Sequence, residues 1–259
     1  MALTHDTMSQ EIEMNASEQQ MRRDLAACYR LVALHGWDDL IFTHISARVP
    51  DEPGHFLINP YGMLFEEITA SSLVKINLQG QVVGQSPFPV NPAGFTIHSA
   101  IHEVRHDAVC VMHLHTIDGT AVSSDPKGLL PLNQTAQLLC NHLAYHDYEG
   151  VALDHAERPR LQKDLGTQDM MLLRNHGTLT VGRSCADAYL KMYMLERACS
   201  MQARTLSMIP ADQAYPTEAG VIAKNSSLMD GQGSTELAEK LVWPAMMRKL
   251  QRTCPDFAN

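Results

Sequence analysis

The sequence predicts an α/β sandwich, with helices on both faces of one sheet, and three observations carry that prediction. Short apolar and β-branched runs alternate with segments of helical spacing along most of the chain. The middle of the chain is β-rich, a pattern expected of one sheet covered by helices. The composition is globular: 259 residues, 45% hydrophobic and 19% charged, enough for one large domain or two small ones with a sizeable core.

The elements follow in order. Residues 1–16 lack periodicity and read as a flexible arm. Ser17 is placed to cap a helix ending at Gly36, with Met21, Leu25, Cys28, Leu31, Val32 and His35 at helical spacing. Strand-like runs come next at Phe42 to Val49, Phe56 to Asn59 and Leu73 to Asn77, the last turning at Gln79-Gly80 into Val82 and Val83. Asn91 is placed to cap a helix through Val104. A buried strand is expected at Ala108 to His113 and a helix near Ile117 to Ser123. Leu138 to Tyr148 fits helix and strand equally. Met170 to Leu173 and Thr178 to Val181 read as strands joined by Arg174-Asn175-His176-Gly177. Ser184 opens the longest helical pattern, to about Met208, and after a polar stretch a last helix runs from Thr235 to about Leu250. The expected organisation is an arm (1–16), a main domain (17–210) and a C-terminal extension (211–259) with a final helix.

Charge and composition exclude several classes. Lys and Arg total 20 against 29 Asp and Glu, a net charge of −9 without a basic cluster, which argues against nucleic-acid and membrane partners. No stretch approaches the roughly 20 apolar residues that span a bilayer, and the polar N-terminus has no apolar signal region. Six cysteines lie far apart in sequence with no CxxC pair, as expected of reduced, mostly buried thiols in a cytoplasmic protein.

Histidines carry the chemistry. His113-Leu114-His115 ends an apolar strand, where residues two apart point to one side. With His176 from a second strand and turn, the set offers three imidazole nitrogens with open positions, as catalytic divalent metals require. His98, His102 and His106 recur at i, i+4 and i+8 and predict a half-buried helix face near this site. His142 and His146 read as structural, and Glu66 and Glu67 as first-turn helix carboxylates or surface charges rather than an acid–base pair. Arg174 and Asn175 are expected to fix the turn and the His176 tautomer, and Gly177 to supply backbone freedom.

VMHLHTIDGTAVSS, HDYEG and LLRNHGTLTVG followed by a long helix resemble the class II aldolase/adducin family. NPYGMLFEEITASSLVKIN and NPAGFTIHSAIHEVR match its adducin-like branch, so the likeness covers about residues 20–210. The resemblance implies a three-layer α/β/α sandwich with a central, mostly antiparallel sheet, and a homotetramer with active sites between subunits. It implies one divalent metal per chain on His113, His115 and His176: zinc first, then iron, manganese or cobalt.

The family's sugar-phosphate aldolases place a catalytic Glu about nineteen residues before the first ligand, a register that falls here on Gly94. Their Gly-Asn phosphate cradle is Thr43-His44 here, and their Pro-Ser-Gly turn is Pro60-Tyr61-Gly62. A phosphate needs convergent donors that are missing. The expectation is therefore a metal-dependent lyase, a decarboxylase or aldolase-type enzyme acting on a small unphosphorylated keto or aromatic acid through a metal-stabilised enolate. His44 and Tyr61 are its candidate acid–base groups. The alternatives are a non-haem Fe(II) oxygenase on the same three histidines and a non-catalytic adducin-like binding protein.

Overall fold

A computed structural model describes residues 4–84, 86–152, 154–231 and 233–259, with side chains described from residue 16 onward apart from Ala93. Helix α1 spans Thr4–His35 and stops at Gly36, whose φ of 65° is the left-handed turn that ends a helix. The helix expected from Ser17 thus begins at Thr4, and helical backbone runs through residues expected as an arm. Strands β1 (His44–Arg48), β2 (His55–Ile58) and β3 (Val74–Asn77) form a meander, with Val82 bridged back to Ile76. Helix α2 (Pro92–Val104) leads to β4 (Cys110–Leu114), α3 (Ile117–Ser123), α4 (Gln134–Leu139) and β5 (Leu143–His146). The ambiguous stretch Leu138 to Tyr148 is therefore both things in turn, a helix end and then a strand. Helix α5 (Arg158–Leu165) was not expected from sequence. It precedes β6 (Met170–Leu173), β7 (Gly177–Gly182) and α6 (Cys185–Met208), which Ser184 caps by accepting the Asp187 N–H at 3.2 Å.

The seven strands form one sheet in the order β3-β2-β1-β4-β7-β6-β5, with every pair antiparallel except β5–β6. Side-chain alternation splits its faces. From β4, Cys110, Met112 and Leu114 join Leu25, Tyr29, Tyr189 and Met192 in the core beneath α1 and α6. Val111 joins Ile97, Ile101 and Leu161 on the opposite face, beneath α2 and α5. This is the expected three-layer α/β/α sandwich with a mostly antiparallel sheet.

The C-terminal residues form α7 (Ala219–Ser226), α8 (Gly233–Leu237), a π-helical turn (Ala238–Val242) and α9 (Trp243–Thr253). Leu250 and Phe257 are buried in the α1–α6 core, and Asp256 pairs with Arg30 of α1 at 2.6 Å. Among the described residues no helix is long and apolar enough to cross a membrane.

Candidate metal centre

β4 delivers His113 on the α2 face, in line with Val111, and the chain exits the strand at His115. Thr116 then caps α3 by accepting the Gly119 N–H, which sets where His115 leaves the sheet. The turn between β6 and β7 brings up His176. The three rings lie with centroids 4.7 to 4.8 Å apart, and one nitrogen from each falls within 4.8 Å of the others.

The outer hydrogen bonds decide what these nitrogens offer. His113 Nδ1 lies 3.0 Å from the Thr178 carbonyl oxygen, and a carbonyl only accepts, so Nδ1 carries the proton. His115 Nδ1 lies 3.0 Å from Asp39 Oδ2 and is fixed in the same way. With both rings neutral, as metal ligation requires, each turns a bare Nε2 inward, and the two Nε2 atoms are 3.0 Å apart. Two lone pairs facing each other at that distance repel unless a cation lies between them. The donor set thus fits a divalent metal that takes neutral imidazole. Burial, and then the neighbouring imidazoles, hold His113 well below the ordinary histidine range. Burial and then His115 bring His176 down to about 4, so both stay neutral ligands near pH 7.

Two expectations about the turn are corrected. Arg174 does not orient an imidazole: it donates to the Asp125 carbonyl and stacks over Tyr145. The left-handed residue is Asn175 (φ 53°), whereas Gly177 is required by a close approach. A Cβ there would lie 2.3 Å from the Leu114 carbonyl oxygen, where β4 meets β7. Gly177→Ala is expected to cost about 2–3 kcal/mol by overpacking, read as a lower denaturation midpoint in urea. An unchanged midpoint would show that the two strands can part without loss.

The trio opens on a cavity of about 890 Å³ that His44, Tyr61 and Asn91 also line, with Ile97, Tyr148 and Val151 among its apolar walls. No Lys or Arg lines it among the described residues. The two candidate acid–base residues thus share a chamber with the candidate ligands. Register pairs His44 on β1 with His113 on β4, and their ring centroids are 5.1 Å apart. At Gly94 a Cβ would lie 2.7 Å from His44 Cδ2. The imidazole fills the space that a side chain at residue 94 would need.

The other histidines separate. His98 and His102 are fully buried rather than half-buried, while His106 lies beyond α2 and is exposed. His146 sits between Asp164 (2.7 Å) and Glu157 (3.2 Å), and His142 contacts the Ser226 carbonyl at 3.0 Å, both structural as expected. Glu67 accepts the Leu64 N–H at 2.7 Å, as a first-turn carboxylate does.

Sequence reasoning missed Asp39 and Glu196. Nothing local marks Asp39 apart from a surface acid. Glu196 is 1% exposed in α6, where it accepts from Thr116 and from Thr178 at 2.7 Å. Burial raises its carboxyl to about 7. Its helical register with Met192, Leu195 and Cys199 on a buried face was the available signal. All six cysteines are free thiols, as expected. Cys28, Cys110 and Cys185 nevertheless converge on the far face of β4, sealed in the core at 0 to 3% exposure.

The profile of the Class II Aldolase and Adducin N-terminal domain matches residues 23–203. A Caulobacter vibrioides protein, provisionally named an aldolase class 2 protein, is 52% identical over 98% of this chain and 97% of its own length. Alpha-adducin of Rattus norvegicus is 48% identical over 77% of this chain, which spans only 27% of that protein. A solved structure of an aldolase II superfamily protein from Pseudomonas syringae superposes with a TM-score of 0.87 at 45% identity, covering 94% of this chain and 96% of that one. The chain belongs to the class II aldolase and adducin family.

Proposed function

We propose that the protein is a divalent-metal-dependent lyase that decarboxylates a small, unphosphorylated keto or aromatic acid. One observation carries this reading: the Nε2 atoms of His113 and His115 face each other beside His176, in a cavity that no Lys or Arg lines among the described residues. A divalent ion held by the three imidazoles, zinc by preference, supplies Lewis acidity for negative charge developing on substrate oxygens.

The chain's own residues do the rest. Asp39 and the Thr178 carbonyl hold His115 and His113 in one tautomer, so the ligands are in place before substrate arrives. Phe42, Ile97, Tyr148 and Val151 give the chamber apolar walls that limit water around the reacting carbon. As the bond to the carboxylate breaks, its electron pair stays on the substrate as enolate charge and CO2 leaves. A proton must then reach the carbanionic carbon, and this reading gives that work to His44 and Tyr61, two of the residues that line the cavity. Loss of CO2 needs no base to deprotonate an alcohol, which suits a site with Gly94 at the register of the aldolases' Glu. A sugar-phosphate substrate is disfavoured because no guanidinium or ammonium of this chain's described residues faces the cavity.

Assembly belongs to the same reading. Phe42, Ile117, Tyr148 and Val151 line the cavity yet stay 48%, 88%, 52% and 70% exposed, apolar surface that a homotetramer with inter-subunit sites would cover. Six free thiols suit a cytoplasmic location.

The test is elemental analysis of untagged protein purified without oxygen, followed by screening of keto and aromatic acids for CO2 release. Zinc, manganese or cobalt near one per chain, with CO2 release slowed in Tyr61→Phe at unchanged metal content, is the expected result. Iron with oxygen uptake would replace the lyase with an oxygenase. A chain that takes up no metal would point to a binding role like that of an adducin.

A further inference from the structure

On the face of β4 turned away from His113, three thiols that the proposed reaction does not use converge in the core. Cys28 comes from α1, Cys110 from β4 and Cys185 from the first turn of α6, and their sulfurs all lie within 4.8 Å of one another. Strand register explains the meeting. Cys110 pairs with Gly182 of β7, where a Cβ would lie 2.2 Å from the Ala188 amide nitrogen. Glycine there lets the start of α6 settle against the sheet, which brings Cys185 over Cys110. Cys28 reaches the same point from α1, its Sγ 3.7 Å from the Cys185 carbonyl oxygen.

An ion held by three thiolates at about 2.3 Å spaces the sulfurs about 4 Å apart, so less than about 1 Å of movement closes this set around one. A further soft donor touches it: the Met21 thioether sulfur lies 3.9 Å from Cys185 Sγ. Met21 is only partly buried, whereas the three cysteines are 0 to 3% exposed, so the thioether stands on the solvent side of the thiols. Thiolate and thioether donors together suit Cu(I). Structural zinc takes four ligands in a tetrahedron, drawn from Cys, His and carboxylate, and iron–sulfur clusters need four cysteines.

Charge points the same way. The carboxylates of Asp24 and Asp187 act on these sulfurs against a thiolate, Asp187 being itself paired with Lys191 at 2.8 Å. An uncompensated charge in the core is costly. A monovalent ion needs only one thiol to release its proton to solvent. The ion takes that proton's place on sulfur, two further thiols complete the set, and the complex is neutral. A divalent ion would need two such ionisations.

We propose that Cys28, Cys110 and Cys185 form a second metal centre, which takes Cu(I) with the Met21 thioether as its auxiliary donor. The ion enters past Met21 and ties α1, β4 and α6 together at one point, behind the strand that delivers His113. This centre stands apart from the histidine trio and from the lyase reading.

Anaerobic titration of the full-length chain with Cu(I), supplied as its bathocuproine disulfonate complex, reads uptake as loss of the chelate's colour. Run on the zinc-loaded chain and again on His113→Ala/His115→Ala, it keeps the imidazole site out of the count. One Cu(I) per chain is expected, with X-ray absorption at the copper edge showing sulfur and no nitrogen around it. Cys28→Ala, Cys110→Ala and Cys185→Ala, made singly and checked for folding by circular dichroism, should each weaken uptake more than about tenfold, and Met21→Leu should weaken it less. Cys140→Ser/Cys254→Ser, which removes the two partly exposed thiols, should bind as its parent does. Uptake unchanged in the three single variants, uptake lost with Cys140 and Cys254, nitrogen around the ion, or no uptake by the folded chain would each overturn the proposal.

Discussion

Replacing His113 and His115 together with alanine is expected to bring metal content to background while leaving a folded chain. His113 is fully buried in β4, so the change also costs stability: the Thr178 carbonyl loses the imidazole N–H as a donor, a bond worth about 0.5–1.5 kcal/mol. That is a fraction of the roughly 5–15 kcal/mol that holds a domain together, and the sheet pairing of β4 is made by backbone atoms the change does not touch. Metal content is read by elemental analysis and folding by circular dichroism. Thermal unfolding adds a check: an ion at about 100 times its dissociation constant adds roughly 2.7 kcal/mol to the native state. The parent should gain stability on zinc addition and the double variant should not. Metal content equal to that of the parent in the double variant would refute the ligand assignment.

Glu196→Gln is expected to change the pH dependence of stability by about 3 kcal/mol. Burial raises the native carboxyl to about 7 from 4.5, with the Thr116 and Thr178 hydroxyls pulling it partly back. Below pH 4.5 both the folded and the unfolded chain carry the proton, and the group favours neither. Between pH 4.5 and 7 the unfolded chain releases it while the folded chain retains it, so stability falls as pH rises and the loss is complete above 7. His176, brought down to about 4, has the opposite sign and loses stability as pH falls from about 6.5. The difference between parent and variant isolates the carboxyl, since glutamine does not titrate. Urea unfolding at intervals from pH 4.5 to 8 should show the curves separating by that amount in the variant's favour. Parallel curves would mean that Glu196 ionises normally inside α6.

Where a segment's own period decided its conformation, it was legible in the sequence. Ile117–Ser123, Met170–Leu173 and the Ser184 cap of α6 all lie where spacing put them. Helix α5, Arg158–Leu165, was not: only Leu161 and Leu165 are buried among charged neighbours, and Pro159 sits in its first turn. The stretch from Leu138 to Tyr148 changes from helix to strand within four residues, too few for either period to declare itself.

The sequence by itself determined the α/β class, the helix and strand periods, and three histidines at strand exits, because these depend on neighbours a few residues away. Only the tertiary structure decided what those histidines can do. Asp39 meets His115 across 76 residues, the Thr178 carbonyl meets His113 across 65, Glu196 meets Thr116 across 80, and Ser46 meets His98 across 52. Those partners set which nitrogen is bare and which carboxyl keeps its proton. Contacts of that span form when β1, β4 and β7 pair and α2 and α6 pack on opposite faces of the sheet. Local spacing holds no record of them, since the chain between two partners can vary without changing the spacing on either side.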